Sequence, residues 1–103
     1  MYIALKKFGT TLLSREAGKE AYAAYAPTLK GVTKDEIVEV DFVGVITFSP
    51  SWGDEFLSPL QRDYKERLLL NNSENSSVQA TLKLLEQINK MPFNIKRPLS
   101  KAP

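Results

Sequence analysis

An α/β domain, built on a small mixed sheet of about four strands with helices mainly on one face, follows from three features of this 103-residue chain. Short alternating or apolar runs, suited to strands, take turns with longer stretches of helical periodicity. Helix-capping residues and turn formers stand between these runs. The length, with 43% apolar and 25% charged residues, suits one ordinary core and leaves no room for a second. Strand and helix alternating three times implies right-handed crossovers, and so few helices cannot cover both faces of a sheet.

The first strand is YIALKKF, residues 2–8, with Tyr2, Ala4 and Lys6 on one face and Ile3, Leu5 and Lys7 on the other. Gly9 and Thr10 are placed to turn the chain, which brings TLL, residues 11–13, back as a short hairpin partner. Ser14 caps a helix through REAGKEAYAAYA, in which Ala17, Ala21, Ala24 and Tyr25 recur at helical spacing and Pro27 makes the stop. EIVEVDF, residues 36–42, sets Val38, Val40 and Phe42 against Glu39 and Asp41, and Ile37 beside Val38 suits a strand with both faces partly covered. It is the candidate central strand.

A second helix begins near Ser49 and Ser51. Ser58 and Gln61 form a Ser-x-x-Gln box with Pro59 at its first helical position, where the helix restarts or continues through LQRDYKE. Trp52, Phe56, Leu60 and Tyr64 make a stripe of period four that reads as a core face. RLLL, residues 67–70, is a short apolar strand. After NNSEN, Ser76 and Gln79 make another capping box, and Val78, Leu82, Leu85 and Ile88 give the clearest amphipathic helix in the chain. MPFNIKRPLSKAP carries three prolines and scattered charge, so the domain is drawn over residues 1–90 and a basic tail over 91–103.

Composition removes much of enzymology. With no cysteine and no histidine there are no disulfides, thiol nucleophiles, imidazole bases or Cys/His metal sites. The expectation is a protein without metal or cofactor. MYIALKKFG has no apolar core of signal-peptide length, and no run approaches the roughly 20 residues that span a bilayer, so a cytoplasmic location without a membrane partner is expected. Four basic residues, Lys90, Lys96, Arg97 and Lys101, follow the last acid, Glu86; removing them from the net charge of +2 leaves −2 for residues 1–86. The basic character belongs to the tail, and four dispersed charges without a motif are a poor nucleic-acid footprint.

The stretch VDFVGVITFSPSWGDEF, residues 40–56, crowds a helix start with polar side chains. Two capping schemes fit: Ser51 with Asp54 as a capping box, or Ser49 with Pro50 at the first helical position. Catalysis is not expected here. Asp54 and Glu55 are adjacent, so on a helix they point about 100° apart and do not form a facing acid and base pair. GVTKDE lacks the Gly-Lys-Ser/Thr ending of a phosphate loop. Arg15 sits poorly at the positive end of its helix, and a salt bridge to Glu39 or Asp54 would account for it.

The same stretch resembles the STAS-like family of small bacterial domains, relatives of the anti-sigma factor antagonists. Asp41, Phe42, Gly44 and Val45 match the family's strand, and Ser49, Pro50 and Ser51 stand where antagonists carry Asp-Ser-Ser. SPSWGDEF matches the Ser-x-Ser, aromatic, small residue, Asp-Glu run of the STAS-like branch. Phe8, Gly9, Ser14 and Arg15 match its opening strand and first helix, and the similarity runs from about residue 2 to residue 89.

The resemblance implies a STAS-like fold and a non-catalytic regulatory protein-interaction module. Its partner, a kinase or ATPase by analogy, would dock on the loop and helix from Ser49 to Glu55. Ser51 occupies the position that a partner kinase phosphorylates in antagonists; Asp54 and Glu55 on the same turn would repel a phosphate there. The candidate partner-binding or regulatory residues are Ser49, Ser51, Trp52, Asp54 and Arg15, with Trp52 as the anchor if it is exposed. Two other classes are weighed: a small-anion or nucleotide sensor using Arg15 and the serine loop, and a structural oligomerisation domain using the tail.

Overall fold

Alternation along Val38-Glu39-Val40-Asp41 builds the centre of the sheet, because it sends two valines into the core and two acids to the opposite face. The computed structural model describes residues 1–96. In chain order these form β1 (Tyr2–Ala4), a 3-10 turn (Leu5–Phe8), β2 (Thr11–Leu12), α1 (Arg15–Leu29), β3 (Val38–Asp41), β4 (Thr47–Phe48) and α2 (Pro50–Tyr64). A second 3-10 turn (Lys65–Arg67), β5 (Leu68–Asn71), α3 (Ser76–Asn89) and β6 (Asn94–Lys96) follow.

β1, β3, β5 and β6 form a four-stranded sheet in that order, with every pairing parallel. Strands laid down in chain order through right-handed crossovers put their helices on one face, and α2 packs between α1 and α3. Ile3, Val38, Val40, Leu68 and Leu70 face the helices and are buried. The other face carries Leu69 and Ala4 among polar groups: the Tyr2 hydroxyl donates to Asp41, and Lys96 Nζ lies 3.6 Å from Glu39 Oε2.

The sheet is parallel where a mixed one was expected, and residues 11–13 do not return as a hairpin. After Ala4 the chain coils into the 3-10 turn and Gly9, at φ +129°, turns it away from the sheet. Thr11–Leu12 then pair in parallel with Thr47–Phe48, forming a separate two-stranded sheet. The segment from residue 91 is not wholly a tail. Phe93 is buried, and Asn94–Lys96 pair with Leu69–Asn71. Arg97 and Lys101 lie outside the described residues.

Two helix boundaries differ from expectation, and at Pro59 one of two open readings is realised. Pro27 lies inside α1; it cannot donate to the carbonyl one turn back, and the chain tightens into Lys30 N–H to Pro27 O (3.3 Å) and Gly31 N–H to Thr28 O (3.2 Å) before it ends. Pro59 lies inside α2, where the helix continues rather than restarts, because burial of Phe56, Leu57 and Leu60 fixes both halves against the core. Asn75, not Ser76, caps α3, its Oδ1 accepting from the Ser77 and Val78 N–H groups. The buried stripe of α1 is Gly18, Ala21, Tyr25 and Leu29, leaving Ala17 and Ala24 outside, and Ile88 of α3 is exposed.

The α1–α2 contact is closest at Gly18. A Cβ there would lie 2.6 Å from the Trp52 carbonyl oxygen and 3.0 Å from its Cα, both backbone atoms that cannot swing aside. Gly18→Ala is expected to destabilise by about 1–3 kcal/mol through forced separation of the helices. Gly31→Ala, where the nearest atom would be 3.6 Å away, should stay within about 1 kcal/mol of wild type. Urea midpoints of the two variants check the pair.

Candidate functional site

The approach to α2 is set by a turn. Val43 N–H donates to Asp41 Oδ1 (3.2 Å), Val45 N–H donates to Phe42 O (3.0 Å), and Gly44 takes φ +87°, a conformation that favours glycine. The turn pushes side chains outward: Val43 is 75% exposed and Ile46 66%. Beyond it, Ile46 N–H donates to Thr10 O (2.7 Å), and β4 lies against β2.

The first turns of α3 hold the other side of this segment. Asn75 Nδ2 donates to the carbonyls of Val45 (3.1 Å) and Ile46 (2.8 Å). Phe48 N–H donates to Ser77 Oγ (3.0 Å), and Thr81 Oγ1 donates to Phe48 O (2.7 Å). These side chains satisfy backbone groups that a two-residue strand leaves unpaired.

Ser49 is the N-cap of α2. Its backbone is extended, its Oγ accepts the Trp52 N–H at 3.2 Å, and Pro50 takes the first helical position, where a missing N–H costs nothing. Ser49 Oγ also donates to Leu13 O (2.5 Å), while Ser49 N–H donates to Leu12 O (2.9 Å), so the cap ties α2 to β2. Of the two capping schemes, the one through Ser49 is realised. Ser51 sits in the first turn, half-buried, and its hydroxyl makes no hydrogen bond among the described residues.

With Ser49 as cap, Trp52 becomes the third helical residue and turns inward. It is 1% exposed, with the ring of Phe56 stacked on it at 5.1 Å and those of Phe48 and Phe8 at 5.9 and 6.0 Å. This corrects the expectation of Trp52 as a partner-facing anchor, because its side chain presents no surface. The exposed apolar side chains of this region are others: Leu13 (49% exposed), one residue past β2, and Val43 and Ile46, ahead of β4.

Arg15 and Asp54 do meet. Arg15 Nη1 lies 2.6 Å from Glu55 Oε2 and 3.0 Å from Asp54 Oδ2, so the cation at the start of α1 is held by two acids of α2, and Glu39 pairs elsewhere. The two acids hold the Arg15 guanidinium above its ordinary pKa, chiefly through the Glu55 hydrogen bond and then that of Asp54. Ser58, 2% exposed, donates to Asp54 Oδ1 (2.7 Å) and accepts from Asn89 Nδ2 (2.9 Å). One polar chain therefore joins α1, α2 and α3. Partial burial pushes the Asp54 carboxyl up, but the Ser58 hydroxyl and the Arg15 guanidinium more than offset it and hold the group below its ordinary pKa.

Comparison with protein-family models, curated proteins and solved structures finds no match. Among the described residues no helix is long and apolar enough to cross a membrane.

Ser49→Ala should cost about 1 kcal/mol as a lost cap, whereas Ser51→Ala should stay within about 0.5 kcal/mol of wild type. Equal losses by chemical denaturation would contradict the assignment of the cap. Because Asp54 is more acidic folded than unfolded, its contribution is full above the unfolded carboxylate value and is lost as pH falls through the lower folded-state value. Across acid titrations of stability, Asp54→Asn should therefore flatten this part of the pH dependence.

Proposed function

We propose that this chain is a cytoplasmic, non-catalytic regulatory module of STAS-like type that docks a protein partner at the start of α2. The observation that carries this reading is the exposure of apolar side chains on both segments of the β2–β4 pair, Leu13 just after β2 and Val43 and Ile46 ahead of β4, the latter segment tied to Thr10 and to Asn75 of α3. Rigid apolar side chains flanked by charge suit a protein interface, since little ordering entropy is lost when they are covered. Arg15, Asp54 and Glu55 form the charged rim, and Ser49 fixes the helix start between them.

Ser51 is the regulatory position in this reading. Its hydroxyl is free of the capping role, and the two acids one turn on are already engaged by Arg15, which lessens the repulsion they would exert on a phosphate. The favoured partner is a kinase or ATPase, as in the family the sequence resembles. The small-anion alternative is less well supported, because the Arg15 guanidinium is taken up by two carboxylates.

Affinity capture from the native host, with wild type beside Val43→Asp/Ile46→Asp, tests the reading. A specific partner should bind wild type and bind the variant at least about tenfold more weakly, about 1.4 kcal/mol, with the melting temperature unchanged. Ser51→Glu should weaken the same complex. Undiminished capture by the double variant would refute the assigned surface.

A further inference from the structure

A cleft of about 370 Å³ opens between α3 and the β5–β6 edge of the sheet, separate from the start of α2. It lies at the carboxyl end of β5, where Asn72 and Ser73 leave the strand. Val78 and Leu82 of α3, with Phe93 and Ile95 from the β6 side, give it an apolar lining. Lys83 and Glu86, one helical turn apart on α3, add one charge of each sign. At about 30 Å³ per water, the space holds about a dozen waters, or a molecule of about ten non-hydrogen atoms.

The charges narrow the ligand. Neither Lys83 nor Glu86 joins an ion pair among the described residues. Glu86 uses Oε2 to accept the Phe93 N–H at 2.7 Å, which fixes the carboxylate in the wall and leaves Oε1 for another donor. A simple carboxylate would meet Lys83 but be repelled by Glu86, and a simple amine would meet the reverse. A zwitterion satisfies both, and an apolar body would displace water from Val78, Leu82, Phe93 and Ile95.

We propose that this cleft binds a free α-amino acid with an apolar side chain, its carboxylate on Lys83 and its ammonium on Glu86. The proposal stands apart from the docking surface and does not depend on it.

Titration of the ¹⁵N-labelled full chain with L-leucine, followed by amide chemical shifts, tests it. Three truncated analogues are run beside it: 4-methylpentanoate, without the ammonium; 3-methylbutylamine, without the carboxylate; and glycine, without the apolar body. Leucine should shift the amides of Ser73, Lys83, Glu86 and Ile95 saturably, and each analogue should bind about fivefold or more weakly. Lys83→Gln changes an exposed side chain, so it should keep the fold while lowering leucine affinity by a similar factor. No saturable shift at these amides with tens of millimolar leucine, an analogue binding as well as leucine, or unchanged affinity in Lys83→Gln would each overturn the proposal.

Discussion

The burial of the Trp52 indole among aromatic rings, with its backbone pressed on α1 at Gly18, is the constraint on which the other features depend. An indole fits in the interior of so small a domain only if its neighbours are shaped around it. Three phenylalanine rings lie with centroids within 6.0 Å, Phe56 stacked and Phe48 edge-on, and the absent side chain at Gly18 lets α1 close over the start of α2. Because Trp52 is the third residue of its helix, its inward direction also fixes the rotation of the first turn. Ser49 must then be the cap, and Asp54 and Glu55 must face the start of α1, where Arg15 meets them. Core and candidate site are thus two consequences of one helical phase.

The surrounding polar contacts repair what that arrangement leaves open. β4 is two residues long and pairs only with β2, so its outer backbone groups would be unsatisfied without Asn75, Ser77 and Thr81. The price is that two apolar side chains of this turn, Val43 and Ile46, are held outside while Val45 between them is folded into the core. A segment so firmly anchored and so exposed is better suited to contact than to motion. The polar chain from Asn89 through Ser58 and Asp54 to Arg15 braces the three helices beneath it.

Local pattern in the sequence carried much of this. The alternation in residues 38–42, the stripe through Trp52, Phe56 and Leu60, and the cap at Ser14 correspond to the observed strand, core face and N-terminus. The Arg15–Asp54 contact was legible because a cation at a helix start needs a nearby acid. Features decided by non-local packing were not legible. Whether Thr11–Leu12 pair with the preceding strand or with residues 47–48 depends on where Gly9 sends the chain, and a two-residue strand has no period to read. β6 holds a single apolar residue, Ile95, behind Pro92, so its pairing with β5 leaves almost no mark in the sequence. Pro27 was read as a helix limit because local propensity says so, and tertiary burial overrode it; at Pro59 the sequence left restart and continuation open, and burial of Phe56, Leu57 and Leu60 goes with continuation. Trp52 was ambiguous for the same reason: a tryptophan at a helix start serves a core or an interface, and only the cap chosen between Ser49 and Ser51 decides which.

Trp52 is the chain's one tryptophan, so its fluorescence tests the central claim directly. The account predicts native emission shifted well to the blue of the unfolded chain, with the indole shielded from acrylamide until the protein unfolds. Native emission and quenching like those of the denatured chain would place Trp52 in water, and the rotation of α2, the cap at Ser49 and the surface assigned around it would all be contradicted.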